Sequence, residues 1–141
     1  MPVRPKPYVL VRPNWGWQEN AMTDRHQAIY KIVKRDTWRE AEQSGRFDGA
    51  GVDLSDGFIH FSTAEQVRET AAKHYAGQDD LLLVAVDGAA LDREVGSAFR
   101  YEPSRGGAMF PHLYTSLPMT AVTCAKPLPL RNDGTHEFPE L

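Results

Sequence analysis

Hydrophobic and polar positions alternate most clearly in two places along the chain. Ala28 to Lys34 (Ala-Ile-Tyr-Lys-Ile-Val-Lys) reads as a strand with Ile29, Lys31 and Val33 on one face and Tyr30 and Ile32 on the other. Leu81 to Val86 is an almost continuous apolar run, the pattern of a strand covered on both faces. Between them, Asp56-Gly57 marks a turn, Phe58 to Phe61 a short strand, and Thr63 with Gln66 has the form of a capping box at the start of a helix. Strand alternation puts Phe58, His60 and Ser62 on one side of this segment and Ile59 and Phe61 on the other.

Two short helices are expected. Thr37 to Ser44 follows an Asp36 N-cap and ends at Gly45, with Trp38 as a core anchor. Ala64 to Tyr75 carries Val67, Ala71, His74 and Tyr75 along one stripe and stops before Gly77. Phe47 to Ser55 reads as loop, and Ala89 to Gly96 as a turn or one loose helical turn. Ser97 to Glu102 and Ala121 to Ala125 read as further strands. Two helices among about five strands, without regular alternation, argue for α+β with a largely antiparallel sheet. The boundaries drawn on this basis are an irregular arm over 1–27, one domain over 28–130 and a tail over 131–141. Within the arm, Trp15 and Trp17 would suit a docking segment, and Met22 is an alternative point for translation to begin.

Composition narrows the function classes. The 141 residues suffice for one hydrophobic core without a staple. Formal net charge is −3, and because the first 27 residues hold four basic against two acidic side chains, the remainder stands at −5. An acidic domain lacks the basic stripe that binding to a long nucleic acid needs, although a small anionic ligand requires only two or three local donors. Apolar runs fall short of the ~20 residues that span a bilayer. The lone Cys124, in an apolar strand, reads as a buried, inert thiol and suits a cytoplasmic location. Neither a GxGxxG loop nor a Walker motif is present.

Several segments together resemble one bacterial family, domain of unknown function 952. They are Ile-Tyr-Lys-Ile with Trp38 following, Gly-Phe-Ile-His-Phe-Ser-Thr-Ala-Glu-Gln, Leu-Leu-Leu-Val-Ala-Val-Asp, Tyr-Glu, Phe-Pro-His-Leu-Tyr and Ala-Val, spread over about Ile29 to Leu128. The resemblance implies split, largely antiparallel sheets similar to those of ADP-ribosyltransferases, which cleave NAD in a cleft between two small sheets. On that basis NAD is expected as a substrate, with no firmly assigned cofactor. Lys31 stands where that fold uses a histidine to hold the ribose, which counts against an NAD-dependent activity.

The candidate site combines His60, His112 and Glu102 as catalytic residues with Ser62, Gln66, Tyr114, Lys31 and Arg105 as ligand-binding ones. The two histidines would orient ribose or phosphate, and Glu102 would stabilise positive charge on the sugar. Each has a plainer role: a core or turn histidine bonded to backbone, a surface carboxylate. A metal site of His60, His112 and Glu102 has acceptable ligand types but no diagnostic spacing, and no metal is expected. The leading expectation is a small transferase binding NAD or a related nucleotide. Its alternative is a non-catalytic ligand-binding or interaction module.

Overall fold

The structure, a computed structural model, describes residues 27–141. The arm with Trp15, Trp17 and Met22 therefore lies outside the described residues.

The first strand, β1 (Ala28–Lys34), is flanked by β4 (Ser62–Thr63) and β5 (Leu81–Asp87), and β5 by β9 (Val122–Pro127), giving an antiparallel sheet in the order β4-β1-β5-β9. Both faces of this sheet are covered, as the unbroken apolar run of β5 requires. Ile29, Val33, Val84 and Val86 point into one core with Trp38, Phe61, Phe99 and Leu113. Tyr30, Ile32, Leu81 and Leu83 point into the other with Val67, Ala71 and Leu128. The face assignment read from alternation in β1 is thus correct.

A second sheet, β3-β7-β6, consists of β3 (Ile59–His60), β6 (Phe99–Pro103) and β7 (Met109–Leu113), again antiparallel. The segment 59–63 serves both sheets. Ile59 and His60 pair with Leu113 and His112, the Phe61 N–H donates to the Pro111 carbonyl at 3.0 Å, and Ser62 and Thr63 then pair with Tyr30 and Ile29. A two-residue pair, β2 (Arg46–Phe47) with β8 (Leu117–Pro118), completes the strands.

Among the described residues there are four short α-helices rather than two. α1 (Arg35–Ser44) begins two residues before the position expected from an Asp36 cap, and Asp36 lies in its first turn. Gly45 closes it at φ 90°, its N–H donating to Ala41 O. α3 (Val67–His74) buries Val67 and Ala71 but leaves His74 exposed, so His74 does not pack in the stripe. The two helices not foreseen are α2 (Val52–Asp56), inside the segment read as loop, and α4 (Gly88–Val95). α4 has an orthodox cap: the Asp87 carboxylate accepts from the Ala89 and Ala90 N–H groups, so the Asp87-Gly88 pair starts a helix as well as ending a strand. Cys124 on β9 is half-buried rather than fully enclosed. The final residues fold back, with His136 buried and bonded to the Gln78 carbonyl, and Phe138 packed against the second core.

Candidate functional site

The register of β3 against β7 places His60 directly opposite His112. The two rings lie edge to face with centroids 5.4 Å apart. Phe58 covers the pair, stacked on His112 at 4.3 Å and tilted over His60 at 4.6 Å, and also meets Tyr114 at 5.1 Å. Two histidines distant in sequence are therefore neighbours under one aromatic ring, as the candidate site required.

Each imidazole is held by its own carboxylate through Nδ1. Glu102 on β6 lies 2.8 Å from His112 Nδ1 and accepts from the Tyr114 hydroxyl at 2.7 Å on the same oxygen. The hydrogen bonds from His112 and then Tyr114 hold the Glu102 carboxyl below its ordinary value. Its hydrogen bond to Glu102 raises the Tyr114 phenol in turn. Burial pushes His112 below the usual imidazole range despite the opposing pull of Glu102. Arg100 lies over the Tyr114 ring at 4.5 Å, a cation–π contact at the rim of the site.

His60 is held differently. Its Nδ1 lies 2.6 Å from Asp53 Oδ1, and its backbone N–H donates to the same oxygen at 3.1 Å. Asp53 Oδ2 accepts from the Ala50 N–H at 3.0 Å and pairs with Lys31 Nζ at 3.0 Å. Asp53 is 4% exposed and Lys31 8%, so this is a charge pair inside the protein. Burial alone would raise the Asp53 carboxyl, but the hydrogen bond from His60 and the ammonium of Lys31 outweigh it and hold it below its ordinary value. Burial lowers the Lys31 amine. The other ring nitrogen of His60, Nε2, lies 3.0 Å from Asp56 Oδ2 at the exposed end of α2.

Asp53 reaches this place because of the glycines around α2. Gly49 has φ 115°, and a Cβ there would lie 2.9 Å from the Asp53 Cβ, so only glycine lets the chain pass that close. Gly57, at φ 85°, ends α2 and turns the chain into Phe58 and β3.

The other residues proposed from the sequence fall in three places. Tyr114 joins Glu102 at the site. Ser62 and Gln66 do not line the histidines: Ser62 is 4% exposed and its hydroxyl is bonded to that of Thr70 at 2.8 Å, on the side of the main sheet facing α3. Alternation cannot carry His60 and Ser62 to one face, because the strand changes sheets at Phe61. Gln66 performs half of the capping box, accepting from the Thr63 N–H at 3.0 Å, and its amide donates to the Met109 carbonyl at 2.7 Å. Lys31 is engaged inside, with Asp53 and with the His60 carbonyl at 2.9 Å, and at 8% exposed it is buried rather than presented to a ribose. The side chain of Arg105 lies outside the described groups. Asp53, Asp56 and Phe58 are not among the site residues expected from the sequence. The available signal was Lys31 itself, a charge in the middle of an apolar strand and in need of an acidic partner.

Among the described residues, no group of three or more His, Cys, Asp and Glu side chains is arranged to hold a metal ion, and no helix is long and apolar enough to cross a membrane. No curated protein matches this chain. Among solved structures, the crystal structure of protein CC0527 from Caulobacter crescentus is 48% identical and matches 79% of this chain and 94% of that one, with a TM-score of 0.73. The solution structure of the same Caulobacter crescentus protein, also 48% identical, matches 77% and 90% with a TM-score of 0.67. Residues 32–125 match the family described as protein of unknown function (DUF952), and the chain belongs to that family.

Proposed function

We propose that the site binds a nucleotide of the NAD type and transfers its ADP-ribosyl or a related group, on a pair of sheets arranged as in ADP-ribosyltransferases. The observation that carries this reading is Glu102, a carboxylate kept ionised by two donors at 2.8 and 2.7 Å yet still 30% exposed. Departure of nicotinamide leaves positive charge on the ribose carbon, and a fixed anion facing that carbon stabilises the transition state more than the ground state. Phe58 and Tyr114 supply flat apolar surfaces against which a base or nicotinamide ring stacks.

A second reading, a non-catalytic ligand-binding module, is favoured by Lys31. Its ammonium is buried against Asp53 and the His60 carbonyl rather than presented to a ribose.

Thermal unfolding with NAD, ADP-ribose and glutathione, together with an assay of nicotinamide release over hours, separates the two. The transferase reading expects a rise in melting temperature with ADP-ribose and slow release of nicotinamide, with Glu102→Gln losing at least about 100-fold of the release while keeping the ADP-ribose shift. A shift without release supports the binding module. No shift with NAD or ADP-ribose removes the nucleotide assignment.

A further inference from the structure

We infer that Arg100 grips the 5′-phosphate of the nicotinamide ribose, so that the site selects nicotinamide mononucleotide and its dinucleotide over the unphosphorylated riboside. The inference deepens the nucleotide reading of the site given above and rests on it.

Register carries Arg100 to the site. On β6 it stands opposite His112, which on its other side stands opposite His60, so the three form one row across the sheet. Residues directly opposite in an antiparallel sheet share a face, and Glu102, two positions along the strand from Arg100, shares it too. Phe99 and Tyr101, which alternate with them, turn to the core side. Lys31 is buried, whereas Arg100 is exposed.

Two contacts place and turn the guanidinium. Its Nε donates to the Ser97 carbonyl at 2.9 Å, and its central carbon lies 4.5 Å from the centre of the Tyr114 ring. Tyr114 is itself fixed by its hydroxyl on Glu102 at 2.7 Å. With Nε engaged, the terminal Nη groups remain, and among the described residues they take no further hydrogen bond or ion pair. A guanidinium edge of this kind matches a phosphate with two parallel hydrogen bonds. The step from Arg100 to Glu102 is two strand residues, about 7 Å, comparable to the separation of C1′ from phosphorus in a ribose 5-phosphate. With Glu102 facing C1′, the phosphate falls beside Arg100, and the sugar keeps it away from the like charge of the carboxylate.

The test is calorimetric titration of the full chain with nicotinamide mononucleotide, nicotinamide riboside, NAD and ADP-ribose. Wild type is expected to bind the mononucleotide at least about tenfold tighter than the riboside, the worth of a charge-assisted hydrogen bond. Arg100→Met is expected to lose that roughly tenfold advantage while its riboside affinity stays within about twofold of wild type. Arg100→Lys, which keeps the charge and loses the fork, is expected to fall between the two. Wild type that binds NAD without preferring the mononucleotide to the riboside overturns the assignment and leaves the nucleotide reading in place. So does an Arg100→Met protein whose affinities for the two are both unchanged or both reduced alike, the second being the mark of a residue that merely braces Tyr114. A wild-type protein that binds neither NAD nor ADP-ribose removes both.

Discussion

Lys31→Met tests whether the interior charge pair holds the site together. The substitution keeps the volume of the aliphatic stem and removes only the ammonium, which makes two short contacts, to Asp53 Oδ2 at 3.0 Å and to the His60 carbonyl at 2.9 Å. Removing one partner of a buried pair costs about 3–5 kcal/mol, because the other charge stays behind without compensation. Asp53 retains three donors, the Ala50 N–H and the two nitrogens of His60, which places the loss at the lower end. The His60 carbonyl loses its lysine donor, about 1 kcal/mol more, while the methyl group of methionine recovers part of this by packing. The expected net loss is about 3 kcal/mol, a large fraction of the ~5–15 kcal/mol that stabilises an ordinary domain. In urea, with a slope of about 2 kcal/mol/M, the unfolding midpoint falls by about 1.5 M. Lys31→Met combined with Asp53→Asn is expected to lose at least about 1.5 kcal/mol less than the two single losses added together. A Lys31→Met protein within 0.5 kcal/mol of wild type, or additive losses in the cycle, would refute the claim that this pair is held out of water as a unit.

Other perturbations read out neighbouring contacts. Because burial depresses His112 below its ordinary value of 6.5, the unfolded chain takes up its proton first as pH falls. Stability from this group is therefore whole above about pH 6.5 and declines below it; His112→Gln is expected to flatten the pH 5–6.5 section of the stability profile, measured by denaturation at each pH. Asp53 and Glu102, both depressed below their ordinary values of 3.8 and 4.5, contribute stability that is lost in more acid solution, and the Asp53 part of that fall persists in the variant. Gly49→Ala meets both a φ of 115° and a 2.9 Å approach to Asp53, and is expected to cost about 1–3 kcal/mol in urea unfolding. Gln66→Ala removes the acceptor for the Thr63 N–H and the donor to the Met109 carbonyl, with an expected loss of about 1–2 kcal/mol by the same measurement.

Periodicity was sufficient wherever a segment is long and its two faces meet different surroundings. β1 begins and ends where alternation placed it, and the apolar run of β5 is covered on both sides. The grouping of His60, His112 and Glu102 as residues of one site is also legible, although β7, with a proline and no β-branched residue, is not among the strands expected. Several elements of two to five residues were not legible. β2 and β8 are too short to show a period, and α2 is defined by glycines on either side that composition alone reads as loop. The grouping of Ser62 with His60 failed for a different reason: a period of two holds only within one sheet, and this strand leaves one sheet for another at Phe61.

The reading of Lys31 fails through a choice of frame. Compared with a fold that places histidine there, lysine looks like a weaker ligand donor directed at the nucleotide. Judged by burial instead, an ammonium between Tyr30 and Ile32 in a strand packed on both faces is expensive to leave unpaired. The acid that answers it has to come from a segment close in space and free of regular pairing, and the glycine-rich stretch before β3 is such a segment. Gly49 allows the approach, α2 turns Asp53 inward, and the ion pair with Lys31 then fixes a carboxylate beneath His60. A lysine in β1 thus acts on the site through Asp53. It orders an imidazole from below, which a histidine acting as a direct ligand donor would not do.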